Sequence, residues 1–334
     1  MKIPALAKSF KNKRIMVLGD VMLDAYLMGQ STRMSPEAPV PVLLENETIY
    51  KPGGAANVAI NLVHLGAKPM LVSLTGKDAA GKILRELLRK QKIDTKYLQV
   101  SKSRKTTLKT RVMQGRQQML RVDREDTNTL NKVESDMLCK QLLDMFDKAA
   151  PDAIIIEDYN KGVLSGEVIS CVLKIATKRK IPVAVDPKQK HFFDYRAVQL
   201  FKPNLRELTE GMGIALKTPP TLKQLDFLAS QFFAKTGVKN LMVTLSEHGV
   251  YINNRKESAI FPAESIDIAD VSGAGDTVIS VVTLAMLAGF TSAQWAILAN
   301  LAGAQVCEQA GVVPVNIEKL EKAWKKHIQT GLNQ

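Results

Sequence analysis

The sequence predicts an α/β fold, a mainly parallel sheet with helices on both faces, plus a small β-sheet lid. Three observations carry that expectation. Short apolar runs rich in branched residues recur along the chain, the pattern of strands buried on both faces. Stretches of helical length alternate with them, and β–α alternation builds a parallel sheet covered on both sides. Two segments, Tyr26 to Lys51 and Thr106 to Arg124, are strand-like where a crossover helix is due. They are expected to leave the sheet and form the lid.

In chain order, Arg14 to Asp20 is the first predicted strand and Pro52 to Ala67 the first helix. Met70 to Thr75 is a strand, Ala79 to Lys92 a helix, Asn131 to Ala149 a helix, and Ala153 to Glu157 a buried strand. Ser165 to Arg179 reads as a helix and Ile181 to Asp186 as a strand. Leu200 to Lys202, Leu241 to Leu245 and Gly249 to Ile252 are further strands. The last third is helical at Ala274 to Ala288, Thr291 to Ala310 and Ile317 to His327. No repeat, low-complexity tract or Pro/Gly/Ser linker divides the chain, so residues 1–334 are expected to form one domain.

The 334 residues are 46% hydrophobic and 24% charged, the balance of a globular protein rather than a disordered one. No apolar run reaches the roughly 18 residues that span a bilayer, and the first residues lack a secretion signal's apolar core and cleavage site. Asn46-Glu47-Thr48 then matches a glycosylation acceptor by chance. Cys139, Cys171 and Cys307 are odd in number and widely spaced, which suits reduced core thiols in a cytoplasmic protein. Forty-six basic against 33 acidic residues give a net charge of +13. Nucleic acid would call for basic stripes with interleaved aromatics, but aromatics are only 5% and scattered. The excess charge is assigned to solubility and to attraction of anionic small molecules.

The segment richest in chemistry is Asp270-Val271-Ser272-Gly273-Ala274-Gly275-Asp276-Thr277, which runs into an apolar helix. Glycines at a helix entrance let backbone N–H groups close around an anion, and the helix dipole adds to that field. Asp276 falls in the first turn, where the same field favours a carboxylate. A base beside an anion hole is what phosphoryl transfer to an alcohol requires. The plain alternative is a Gly-rich turn with an Asp near a helix start.

This octet resembles the C-terminal signature of the ribokinase-like (PfkB) carbohydrate kinases, whose aspartate at that position is the catalytic base. Pro52-Gly53-Gly54-Ala55-Ala56-Asn57-Val58-Ala59 resembles the family's di-glycine signature, which implies that Gly53, Gly54 and Asn57 hold the sugar. Gly19-Asp20-Val21-Met22-Leu23-Asp24 is similar to the end of the family's first strand, which assigns Asp24 to sugar hydroxyls. Pro203-Asn204-Leu205-Arg206-Glu207 matches the Asn-x-x-Glu element, placing Asn204 to Glu207 at the nucleotide and Glu207 at Mg2+ through water. The four matches come in order and cover nearly the whole chain. The resemblance implies a ribokinase-like three-layer sandwich that uses ATP and Mg2+ and admits a monovalent cation. It also implies a homodimer formed through the lid.

A branch of the family is visible too. Ser31 to Val42, Arg116 to Asp123 and Asp158-Tyr159-Asn160-Lys161-Gly162 are similar to stretches of the heptose 7-phosphate kinases of lipopolysaccharide-core synthesis. Thr244-Leu245-Ser246-Glu247-His248-Gly249 carries Ser246 where the general family has glycine, and that departure resembles the same branch. Thr244, Ser246 and Gly249 are thereby expected at the nucleotide. The implied reaction moves the ATP γ-phosphate to the anomeric hydroxyl of D-glycero-D-manno-heptose 7-phosphate. A substrate with a distal phosphate needs a cation there. Arg33, Arg111, Arg116 and Arg121 lie in the excursions, and Lys161 and Lys188 follow predicted strands. Arg116 is the first choice.

Several segments are set aside. Gly76 to Ile83 has phosphate-loop spacing, but Ile83 cannot ligate magnesium. Gly273-Ala274-Gly275 lacks the third glycine of a dinucleotide fingerprint. The four histidines share no metal-binding spacing; His64 is expected to pack and His248 to lie in a turn before a strand. In many heptose kinases of this kind an adenylyltransferase domain follows. Here Gln334 leaves room only to finish the kinase fold, so that activity is not expected. A kinase for another sugar, sugar phosphate or nucleoside stays open as an alternative, as does a non-catalytic sugar or nucleotide sensor.

Overall fold

The computed structural model describes residues 5–115 and 117–331. A short helix α1 (Leu6–Phe10) precedes β1 (Arg14–Gly19), and after Asp20 the chain passes directly into β2 (Val21–Met34) and β3 (Pro41–Gly54). Helix α2 (Ala55–His64), β4 (Lys68–Gly76), α3 (Ala79–Lys90) and β5 (Leu98–Ser101) follow. Next come β6 (Thr107–Gln114), β7 (Gln117–Arg124), α4 (Lys132–Lys148), β8 (Ala153–Glu157), α5 (Gly166–Arg179) and β9 (Val183–Asp186). The remainder is β10 (Leu200–Phe201), α6 (Leu205–Met212), α7 (Leu222–Thr236), β11 (Leu241–Thr244), β12 (Val250–Asn253), β13 (Ser258–Phe261), α8 (Ala274–Leu287), α9 (Ser292–Cys307) and α10 (Ile317–Gly331).

The large sheet has the order β13-β12-β11-β10-β9-β8-β1-β4-β5. Its strands are parallel from β5 across to β11, and β12 and β13 close that edge antiparallel. Alternation along the central strands divides the core. Ile15, Val17, Ala153 and Ile155 face α2, α8, α9 and α10, whereas Met16, Leu18, Ile154 and Ile156 face α4, α5 and α7. Both faces are therefore apolar, which is why these strands read as continuous hydrophobic runs. Because β4 lies on one side of β1 and β8 on the other, the topological switch falls at Gly19, Glu157 and Asp20. In open α/β sheets the ligand crevice lies outside the strand ends at such a point.

The small sheet runs β3-β2-β6-β7, with β2 and β6 parallel and the outer pairs antiparallel. Two expectations change here. The Gly19 to Asp24 segment is a switch between sheets rather than the end of the first strand: Asp20 is the corner and Asp24 lies on the lid strand β2. Pro52 to Gly54 closes β3 instead of opening a helix, because Gly54 turns at φ 61 and the Ala55 N–H bonds the Asp20 carbonyl at 3.0 Å.

Helices α1, α6 and α7 and strands β5 and β13 had no counterpart among the predicted elements. The cysteines are free but only partly buried, and His64 is exposed at the end of α2 rather than packed. Among the described residues no helix is long and apolar enough to cross a membrane.

Candidate active site

Helix α8 begins at Gly273, whose φ of 80 suits a residue without a Cβ; an added one would press on Asn57 Nδ2 at 2.7 Å. No side chain caps this helix, so its leading N–H groups can receive an anion. Asp276 follows in the first turn and is buried. Its Oδ2 accepts from Asn57 Nδ2 at 2.7 Å and its Oδ1 from the Tyr159 hydroxyl at 2.9 Å. Asn57 is fixed in turn by Asn61, whose amide donates to the Asn57 carbonyl at 3.0 Å. Burial raises the Asp276 carboxyl to about 6, with the Asn57 and Tyr159 hydrogen bonds pulling the other way. A carboxylate so tuned can accept a proton near neutral pH.

Beside Gly275 lies a buried ionic cluster. An added Cβ there would stand 3.5 Å from Asp186 Oδ2 and 3.6 Å from Lys202 Nζ, and these two are themselves paired at 2.6 Å. Lys188 reaches Glu207 and lies 3.8 Å from Asp186. Burial alone would pull Lys188 down, but Asp186 and Glu207 outweigh it and hold the ammonium above its ordinary range. Glu157 is buried at the end of β8, opposite Asp186 in register, and neither carboxylate oxygen has a hydrogen-bond partner. Burial, reinforced by Asp186 and Asp276, raises it well above the usual carboxylate range.

On the lid side, Asp24 is buried and pairs with Arg111 Nη1 at 2.5 Å, so two residues assigned separately to the sugar hold each other. Gly53 is required by that packing: an added Cβ would meet Asp24 Oδ2 at 2.3 Å. Lys109, a register neighbour of Asp24 on β6, forms no ion pair among the described residues and lies 5.7 Å from the centre of the Tyr159 ring. Lys161 pairs with Glu125 at 2.7 Å.

The Asn-x-x-Glu element is a capping box. The Glu207 N–H donates to Asn204 Oδ1 at 2.8 Å, and the Asn204 N–H donates to Glu207 Oε2 at 2.9 Å. Leu205 packs on the core, and exposed Arg206 pairs outward with Glu210 at 2.6 Å, so neither side chain joins the cluster. Thr244 ends β11 and bridges to Asn204. Ser246 adopts φ 54, the left-handed backbone that glycine would supply, and Gly249 could take no Cβ, which would lie 2.0 Å from the Phe261 carbonyl. Arg33 is exposed, nine residues beyond Asp24 on β2, on the order of 30 Å of extended strand. Arg121 pairs with Asp123 at 2.9 Å in the exposed strand β7, and Arg116 lies outside the described residues.

Sequence reasoning missed Glu157, Asp186, Lys202, Lys109 and Asn61, and gave Tyr159 no role. The signal for the first three was present: each ends or follows a parallel strand, where ligands sit. Asn61 could not be found so, because its role arises from packing α2 on α8.

A buried carboxylate in the first turn of a helix without a side-chain cap, beside the switch point of a parallel sheet, is an arrangement suited to phosphoryl transfer. Comparison with known proteins then names the group. Residues 12–319 match the model of the pfkB family carbohydrate kinases, and the chain belongs to that family. Among curated relatives, "Bifunctional protein HldE" of Koribacter versatilis is 38% identical over 312 residues, 93% of this chain and 63% of the relative. The HldE of Caulobacter vibrioides is 39% identical over 318 residues, 94% of this chain and 64% of the relative. The chain thus spans less than two thirds of their length. Escherichia coli phosphofructokinase-2 in complex with fructose-6-phosphate superposes with a TM-score of 0.75 at 18% identity, covering 94% of this chain and 99% of that one. Arabidopsis thaliana ribokinase complexed with ribose and ATP gives 0.72 at 17%, with coverage of 94% and 99%. The fold is ribokinase-like.

Proposed function

We propose that this carbohydrate kinase transfers the γ-phosphate of ATP to the C1 hydroxyl of D-glycero-β-D-manno-heptose 7-phosphate, giving the 1,7-bisphosphate. The observation that carries the reading is the buried Asp276, raised to about 6, at the mouth of α8. Asp276 takes the proton of the sugar hydroxyl as its oxygen attacks the γ-phosphorus. The bond to the β-phosphate's bridging oxygen breaks and ADP leaves with that electron pair. The N–H groups at Gly273 to Gly275 receive the charge that grows on the transferred group.

Among the described residues, no three His, Cys, Asp or Glu side chains are arranged to cage a metal ion. The residues present suit a magnesium ion that keeps its water. Asp186 and Glu207 face Lys188 and Lys202 in this cluster, and both oxygens of buried Glu157 beside them lack a hydrogen-bond partner among the described residues. Mg2+ dehydrates reluctantly and is commonly held by phosphates plus one or two carboxylates, here Asp186 and Glu207. It would neutralise charge on the triphosphate. A monovalent cation is carried as an activator, and one solved relative of this fold, E. coli phosphofructokinase-2, is described in complex with potassium.

Two further features support the substrate and the assembly. Lys109, Arg111 and Lys161 lie at the base of the lid, on the Asp24 side, where a distal phosphate would meet cations. Met119, Leu120 and Val122 on β7 are exposed apolar residues, which supports pairing of lids between two copies.

An ADP-release assay over a panel of sugars and sugar phosphates tests the reading. One to two charge-assisted hydrogen bonds at about 1.5–3 kcal/mol each predict roughly 100-fold higher kcat/KM for heptose 7-phosphate than for unphosphorylated heptose. Equal use of both sugars would sink the sugar-phosphate assignment and leave the kinase class intact.

A further inference from the structure

The Tyr159 hydroxyl bonds the carboxylate to which the proposed reaction assigns the acceptor's proton. Of the two oxygens of Asp276, Oδ2 is held by the amide of buried Asn57 at 2.7 Å. Oδ1 is held by the Tyr159 hydroxyl at 2.9 Å, and Tyr159 is only partly buried. Oδ1 is therefore the oxygen that a substrate can reach, and a hydroxyl of the chain itself already occupies it. The loop bearing this side chain is built to present it. Asp20 accepts the N–H groups of Tyr159 at 2.9 Å, Lys161 at 3.0 Å and Val163 at 3.0 Å, while Asn160 and Gly162 turn the chain at φ 54 and 88. The ring lies under Lys188 Nζ at 5.1 Å and Lys109 Nζ at 5.7 Å, which steady its face through cation–π attraction.

We propose that Tyr159 is a guard on the base: without sugar its hydroxyl fills Asp276 Oδ1 so that water cannot, and the arriving sugar hydroxyl displaces it. The reaction it suppresses is hydrolysis. A water oxygen would attack the γ-phosphorus, ADP would leave with the electrons of the β–γ bridge, and the water proton would pass to Asp276. The phenol does not substitute for the sugar as acceptor. Burial, with Asp276 and Glu157 nearby, holds its hydroxyl well above the ordinary tyrosine range, so it remains a neutral donor. The inference rests on Asp276 as base and is independent of which sugar is used.

The test compares ADP release without sugar to sugar-phosphate formation with the preferred sugar, in the parent and in Tyr159→Phe. General-base assistance contributes about 10²–10⁴-fold, so opening the base to water should raise sugar-free hydrolysis about tenfold or more. Sugar-dependent turnover should change less, and the double variant Tyr159→Phe/Asp276→Asn should return hydrolysis to the parent's level. A merely structural tyrosine would lower both rates together. Tyr159→Met, which fills similar space without a hydroxyl, repeats the measurement if the phenylalanine variant melts early. Unchanged sugar-free hydrolysis in folded variants overturns the guard, as does loss of both activities. Asp276→Asn alone keeping its turnover would instead overturn the base assignment.

Discussion

Strands β8 and β7 are the extremes of this molecule: all five residues of the first are buried, and all eight of the second are exposed. The first lies between two helical layers, so any side chain along it needs an apolar neighbour on one face or the other. The second is an edge strand of the small sheet, away from the part of that sheet on which α2 and α3 pack. Strand β2 joins the two regimes, buried from Val21 to Tyr26 and exposed from Thr32 to Met34. The lesson concerns where chemistry can sit. The buried charged groups of the large sheet lie where strands end, at Glu157 and Asp186 with Lys202 just beyond β10, mutually paired or starved of partners, whereas Arg14 and Lys68 at the opposite strand ends are exposed. Charged groups on the outer lid face water, and only at its base are Asp24 and Arg111 held in a tight, largely buried pair. The sheet ends therefore suit reaction chemistry, and the lid suits selection among substrates.

The largest break in that comparison is at Asp276. Asp276→Asn keeps the shape and removes the proton acceptor, so kcat should fall by about 10²–10⁴ with ATP affinity little changed. Near-normal turnover in steady-state assays would remove Asp276 from the reaction. A smaller effect belongs to the lid. Lys109 forms no ion pair among the described residues and lies against the Tyr159 ring, whereas Arg111 is committed to Asp24 at 2.5 Å. Lys109→Ala should lower kcat/KM for the phosphorylated sugar roughly 10-fold, the loss of one charged hydrogen bond, and leave the unphosphorylated sugar nearly unchanged. Equal losses for both sugars would place Lys109 in the fold rather than at the phosphate.

The same contrast explains how much was legible beforehand. Runs such as Ala153 to Glu157 announced themselves because both faces need apolar residues. The lid strands were legible by exclusion, as β-patterns where a helix was due. Helix α7 was overlooked although Thr221 and Gln224 form a capping box at its start, and α6 because its own box, Asn204 and Glu207, resembled a ligand motif first. Asp276, Asn57 and Glu207 could be named from local motifs. The pairing of Asp24 with Arg111 and of Tyr159 with Asp276 could not. Those partners are separated by 87 and 117 residues, and a single sequence holds no trace of such contacts.

The finest test concerns proton affinity at the strand ends. Asp276 titrates near 6 in the folded chain against 3.8 for an ordinary aspartate, chiefly through burial. If Asp276 is the base, as proposed, it works only when ionised, so kcat/KM should fall about tenfold per pH unit below roughly pH 6 and level off above pH 7. The Tyr159 hydrogen bond favours the ionised form, so Tyr159→Phe should move that acid limb to higher pH. Stability carries the opposite sign. A carboxyl whose folded value is raised binds its proton more tightly when folded, so its contribution weakens as pH climbs from 3.8 towards about 6. Asp276→Asn removes that dependence. Measured as the difference in Tm between variant and parent, the variant should gain ground steadily across this window while the parent's activity rises. An acid limb near pH 4 with a flat Tm difference would mean that the carboxylate is as well solvated as one on β7, and the contrast between sheet end and lid would fail at its most important residue.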